Sequence, residues 1–183
     1  YIIDAAHFPV RNFFVCASSE RAEREGTVMI FYLKEAFMSF DHFDVWDENE
    51  NLVYSADREF FNFGKKLTVA DAAGNVVASV QHVPFSIPCT YALTAGTREY
   101  DLTRHFALFS RSYSIDELGW EVEGDFMGLD YEITKDGRRV AAVSRAWMTL
   151  GDRYALEVAD PRDALIALLT VIAIDCCDEE HRG

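Results

Sequence analysis

Two pairs of adjacent cations, Lys65-Lys66 and Arg138-Arg139, are the side chains in this sequence best suited to hold an anion. Turned toward one groove, they would grip a phosphate or carboxylate through charge-assisted hydrogen bonds. On an edge strand the same residues would instead discourage strand addition by another chain. The histidines (His7, His42, His82, His105 and His181) are scattered and match neither an HExxH nor a Cys/His ligand spacing. Only His82 and His105 fall in neighbouring repeats, where a sheet could bring them together as a foothold for catalysis. The stretch Asp47-Glu48-Asn49-Glu50 offers oxygen ligands but lacks the spacing and fixed glycine of a calcium loop, so it reads as a solvated turn. Gly124-Asp125 and Gly151-Asp152 also read as turn residues. No nucleophile elbow, phosphate loop or dinucleotide fingerprint occurs in the sequence. The expectation is therefore a protein with no catalytic residues, no metal site and no cofactor.

Cysteine usage and charge narrow the setting. The cysteines are Cys16, Cys89, Cys176 and Cys177. They form no CxxC, and an adjacent pair rarely closes an unstrained disulfide. Reduced thiols in a cytoplasm are the simplest expectation, with metal binding or oxidation at Cys176-Cys177 as the alternative. With 17 basic and 31 acidic residues the formal charge is −14. Such a chain repels nucleic acid and anionic membranes over about a Debye length, unless a local basic patch intervenes. A lipid headgroup or a protein remains as a partner. The longest apolar run, Ala164 to Ile174, falls short of the ~20 residues that a bilayer requires. No basic start followed by an apolar stretch marks a secretory signal. One soluble, cytoplasmic domain with no transmembrane segment is expected from 183 residues that are 50% hydrophobic.

A repeat supplies the scaffold. A large residue recurs at Phe43, Leu67, Tyr91, Tyr113, Tyr131 and Tyr154, at intervals of 24, 24, 22, 18 and 23 residues. Two positions after each stands an aliphatic partner: Val45, Val69, Leu93, Ile115, Ile133 and Leu156. Alternation of this kind puts both side chains on one face of a strand. Turn residues follow, as in Asp71-Ala72-Ala73-Gly74-Asn75 and Lys135-Asp136-Gly137-Arg138. Returning strands are then expected at 52–61, 76–83, 98–106, 120–126 and 140–147. A leading strand near 29–38 and a last one near 153–158 complete twelve. Twelve strands in hairpin order predict closure into an antiparallel barrel, with a flattened two-sheet sandwich as the other arrangement.

The β pattern stops at Ala159. Asp160 is placed to cap a helix that opens with Pro161, and Asp163 favours its first turn. From Ala164 to Ile174 there is no polar face, and Thr170 can bond back to a backbone carbonyl. Such a helix must be surrounded, and at 1.5 Å per residue Pro161 to Cys177 spans about 25 Å, the height of a modest barrel. The expectation is a helix threaded through the ring. Asp175 would sit at the barrel mouth and accept backbone or arginine donors.

Three stretches together resemble the LURP-one-related family, whose fold is similar to the C-terminal domain of Tubby proteins. They are Phe60-Phe61-Asn62-Phe63-Gly64-Lys65-Lys66-Leu67, then Leu118-Gly119-Trp120-Glu121-Val122-Glu123-Gly124-Asp125-Phe126, and the last strand with its apolar helix. The resemblance covers Met29 to about Glu180. It implies a mainly β, twelve-stranded antiparallel Tubby-like barrel enclosing a hydrophobic C-terminal helix. It brings no catalytic residues. What it implies about function is a non-enzymatic binding or scaffold domain. Tubby-like relatives bind phosphoinositides through a basic groove, so phosphoinositide or phospholipid binding is one alternative. Apart from the resemblance, the charge of −14 offers a further alternative, an acidic interaction module for a basic protein partner. Residues 1–28 fall outside the resemblance and are expected to be a weakly ordered or non-native extension, with 29–183 as the domain.

Overall fold

The computed structural model describes residues 28–34, 42–61, 64–106, 111–146 and 153–180. Expectations placed on 1–27 and on the far end of the leading strand lie outside these residues. Twelve strands are present: β1 Met29–Lys34, β2 His42–Asp47, β3 Leu52–Phe61, β4 Gly64–Asp71, β5 Val76–His82 and β6 Thr90–Ala95. They continue as β7 Arg98–Phe106, β8 Arg111–Ile115, β9 Trp120–Asp125, β10 Asp130–Lys135, β11 Arg138–Ala146 and β12 Arg153–Val158. A 3-10 turn, Pro161–Asp163, leads into one α-helix, α1 Ala164–Glu180. Each strand pairs antiparallel with its sequence neighbour, and β1 closes the ring against β12 from Met29↔Val158 to Lys34↔Arg153. The structure is a closed barrel, not a sandwich.

Alternation along the strands sorts the wall into two faces. The repeat residues Val45, Leu67, Val69, Tyr91, Leu93, Tyr113, Ile115, Tyr131, Ile133, Tyr154 and Leu156 are all buried. They point inward because a strand's side chains alternate and the interior is the only dry face. Small bulges at Val45/Trp46, Val69/Ala70 and Ile133/Thr134 let three strand pairs curve without losing this alternation.

The helix fills the ring. Leu168, Leu169, Val171, Ile172 and Ala173 have no exposed surface. Asp160 caps the entrance, accepting from the Arg162 backbone N–H at 3.0 Å, with Pro161 in the first helical position. Thr170 Oγ1 donates to the Ile166 carbonyl at 2.8 Å, so the one polar group in the apolar run is satisfied within the helix. The start differs from one uniform helix: its first turn is 3-10, and Ala164 N–H bonds Pro161 O.

The antiparallel order gives the barrel two distinct ends. At the entry end, where the helix begins, lie the tight turns β2–β3, β4–β5, β6–β7, β8–β9 and β10–β11. At the exit end lie the connections β5–β6 and β9–β10. Two of the entry-end turns, β2–β3 and β4–β5, are acidic and self-capped. Asp47 Oδ1 accepts from Asn49 N at 2.8 Å and Asn51 N at 2.9 Å, and Asp71 Oδ1 accepts from Ala73 N and Asn75 N at 2.9 Å. The side-chain amides of Asn51 and Asn75 hold these carboxyls below the usual range. The suspected calcium ligand Asp47 is thus occupied in building its own turn.

Candidate functional site

The two basic pairs do not share a groove. Lys65 and Lys66 open β4 at the exit end, paired with Phe60 and Glu59 of β3. Arg138 and Arg139 open β11 at the entry end, and β12, β1, β2 and β3 stand between the two strands on the shorter way round. Because β4 and β11 run in opposite directions, their first residues sit at opposite ends. Arg139 Nη1 donates to Glu132 Oε1 at 3.4 Å, a solvent-exposed pair of little energetic consequence. Lys66 borders a concavity of about 620 Å³ on the barrel wall. Thr68, Val77, Ser79, Thr94 and Leu165 are among its lining, and Lys66 is the charged residue among those described.

His82 and His105 lie on opposite faces of the wall. His82 pairs with Tyr91 and shares the inward register of Ala78 and Val80; its ring centroid is 5.2 Å from that of Tyr91. His105 lies one position beyond the buried Arg104, so it faces outward, and its Nε2 is 2.8 Å from Ser114 Oγ. β6 separates their strands. Among the described residues no three His, Cys, Asp or Glu side chains are grouped to hold a metal ion.

What the structure does assemble is a polar cluster inside the exit end. Arg104, on β7, is 4% exposed and donates from Nη1 to Cys177 Sγ at 3.3 Å. Its guanidinium carbon also sits 4.3 Å from the centre of the Phe106 ring. Across the barrel Tyr154 Oη donates to Asp175 Oδ2 at 2.9 Å. Asp175 thus accepts from a tyrosine, a donor that the sequence reading did not name. Burial, with Asp175 beside it, pushes the Tyr154 phenol well above its ordinary value. Cys176 and Cys177, neither in a disulfide, are both buried against this cluster. Arg104 was not singled out from sequence, although it stands two residues after the inward Leu102 and so in the inward register.

Gly124 corrects another expectation. It belongs to β9, paired with Tyr131, and is not a turn residue. Its φ is +141°, and an added Cβ would lie 2.5 Å from the Tyr131 Cα. The missing side chain lets β9 approach the backbone of Asp130 and Tyr131 closely. Nearby, the Phe126 ring centroid is 5.2 Å from that of Tyr113 and 5.0 Å from that of Tyr131. Asp125 does serve a turn, accepting from Gly128 N at 2.9 Å.

These features can be set beside known proteins. Over 147 residues the chain is 28% identical to the uncharacterized protein YxjI of Bacillus subtilis (strain 168), covering 79% of this chain and 90% of that one. A protein of Arabidopsis thaliana with an X-ray structure is similar in fold, with a TM-score of 0.58, 16% identity, and coverage of 82% of this chain and 91% of that one. The model of the LURP-one-related family matches residues 29–175, from the first barrel strand into the polar cluster at the helix end. The chain belongs to the LURP-one-related family.

Proposed function

We propose that this chain is a non-enzymatic binding or scaffold domain that works through the outside of its barrel. One observation carries the reading: the ring's interior, where a barrel protein would otherwise hold a small molecule, is packed with the side chains of α1. The Tubby-like architecture supports it, since it supplies a rigid wall and two sets of loops without a catalytic constellation. That Cys89, Cys176 and Cys177 are not in disulfides suits a cytoplasmic location. Among the described residues no helix is long and apolar enough to cross a membrane. We further take residues 1–28 as an extension that precedes the working domain.

The test is ligand titration followed by backbone NMR, with inositol phosphate and a lysine-rich peptide as probes. A domain of this kind shows shifts at exposed wall or loop residues while α1 amides stay in place. A ligand whose shifts centre on Leu168 to Ile172 would place binding inside the ring and end the proposal.

A second reading, an acidic module for a basic protein, is favoured by the outer face of β9 and β10. There Glu123 stands directly opposite Glu132, and Asp125 opposite Asp130. Like charges directly opposite are unfavourable, and a cationic partner would relieve them. Binding of the lysine-rich peptide that weakens with salt, and weakens further in Glu123→Gln, supports this reading; salt-insensitive binding counts against it.

A further inference from the structure

We propose that the exit end of the barrel docks on a lipid bilayer by inserting apolar loop tips, without using either basic pair. The inference rests on the outside-working domain just described and names its surface and partner. Phe85 and Ile87 are 98% and 97% exposed, both on the β5–β6 connection. No other large apolar side chain among those described comes near this; Val76, the next, is 67% exposed. Scattered exposed apolar residues are ordinary, but two complete ones on a single ordered loop are not.

The loop is built to hold them out. Val83 N donates to the Thr90 carbonyl at 2.9 Å, Ser86 Oγ donates to the Val83 carbonyl at 2.9 Å, and Thr90 N donates back to Ser86 Oγ at 2.9 Å. Phe85 takes a φ of +63°, a left-handed conformation that bulky side chains rarely adopt. A loop hydrogen-bonded around a strained and fully exposed phenylalanine stores strain of the sort found at binding sites.

The same end carries further apolar tips with cations beside them. Met127, on the β9–β10 connection, is 61% exposed, and Phe106 at the end of β7 is 63% exposed. Arg145 Nε donates to the Gly128 carbonyl at 3.2 Å, which sets its exposed guanidinium next to the Met127 turn. Arg111 lies 5.8 Å from the Phe126 ring on the same side. Neither described connection, 83–89 or 126–129, contains a charged residue.

A bilayer fits this arrangement in two ways. Separate apolar tips over a rim enter the soft headgroup and acyl boundary, and flanking arginines meet lipid phosphates. Most acidic turn residues, Asp47, Glu48, Asp71, Asp116, Glu117 and Asp136, lie at the entry end; at the exit end Asp125 and Asp130 flank the Met127 turn near Arg145, and Asp178 to Glu180 close α1. Tilted strands of five to ten residues set the ends about 20 Å apart, roughly two Debye lengths at physiological salt. The entry-end carboxylates are thus largely screened from a membrane that touches the exit end, and insertion of the apolar tips, more than charge, drives the docking.

The experiment is flotation of the full chain with mixed phosphatidylcholine and phosphatidylserine vesicles, beside the double variant Phe85→Ser, Ile87→Ser. Both residues are solvent-exposed, so thermal melts of the two proteins should coincide and confirm that the variant folds. The expected result is vesicle binding by the native chain that falls about tenfold or more in the variant. A native chain that stays with the buffer overturns the proposal, as does binding that the double variant retains. Self-association that the variant abolishes, without vesicle binding, also overturns it and makes this end an interface between copies. None of these failures touches the broader proposal, which stands or falls on whether ligands reach the interior.

Discussion

Tyr154 Oη lies 2.9 Å from Asp175 Oδ2, joining the last barrel strand to the end of the helix that fills the ring. Tyr154 is also the last of the six recurring large residues, so one side chain serves both the repeat and the helix. The bond places a carboxylate near a helix C-terminus, where the backbone dipole disfavours it, and offsets that cost with a buried donor.

Tyr154→Phe keeps the ring and removes the donor. Its expected cost is about 1–3 kcal/mol, because the half-buried carboxylate loses a partner to which it was a charged acceptor. Urea unfolding with an unchanged m-value measures it. A variant as stable as the native chain would show that Asp175 is satisfied without Tyr154.

The helix should be indispensable. A chain ending before Asp160 has an empty ring and is expected to show no cooperative melt and a collapsed NMR spectrum. Within the full chain, Leu169→Ala should cost about 2–5 kcal/mol, since Leu169 has no exposed surface and the rigid ring around it relaxes little. A dispersed spectrum from the truncated chain would falsify the helix's role as core.

Gly124→Ala tests the close approach of β9 to β10. Its Cβ would meet the Asp130 carbonyl oxygen at 2.6 Å, backbone that cannot swing aside. The expected loss is about 1–3 kcal/mol or more, read by thermal unfolding. Gly74→Ala provides the comparison, because φ there is +82° but a Cβ meets nothing within 4 Å, so only backbone strain remains. Equal losses at the two sites would remove crowding against Tyr131 as the cause.

Acid should weaken the entry end. Asp47 and Asp71 are held below the usual range by Asn51 and Asn75, and Asp160 is lowered to about 2 by Arg162. A depressed folded value means that these groups stabilise the fold above the ordinary carboxylate value near 4, and that this contribution is lost as pH falls toward about 2. Asp163 runs the other way: burial raises it, so its protonation partly opposes the loss. Tm measured from pH 5 downward should decline, with a shallower decline in Asp47→Ala, Asp71→Ala. Parallel curves would trace the acid sensitivity to other carboxylates.

Periodicity made the architecture readable before any coordinates. Each large-x-aliphatic pair marks an inward face, and the absence of a polar side on Ala164 to Ile174 demands a surrounding wall. These are local patterns with one physical solution. The site was less legible because it depends on which strand ends meet. Lys65-Lys66 and Arg138-Arg139 look equivalent as dipeptides, yet an even and an odd strand begin at opposite ends of a hairpin barrel. Arg104 escaped notice because a cation in an inward register contradicts the rule that the inside is apolar; its partner Cys177 is 73 residues away. Gly124 looked like punctuation because a glycine before an aspartate often is. Only its pairing with Tyr131 reveals a packing role. Phe85 and Ile87 carry no periodic signal, and their exposure is visible only in three dimensions.

The seam between β1 and β12 joins Met29 to Val158. Nearly the whole domain must therefore be synthesised before its ring can shut, and the helix that gives the ring its filling emerges later still. Until then each finished hairpin presents an uncovered apolar face and an unpaired edge, so assembly is governed by distant contacts and is slow compared with helical folds of this size. Protection of the nascent chain during that interval is a requirement that the topology itself imposes.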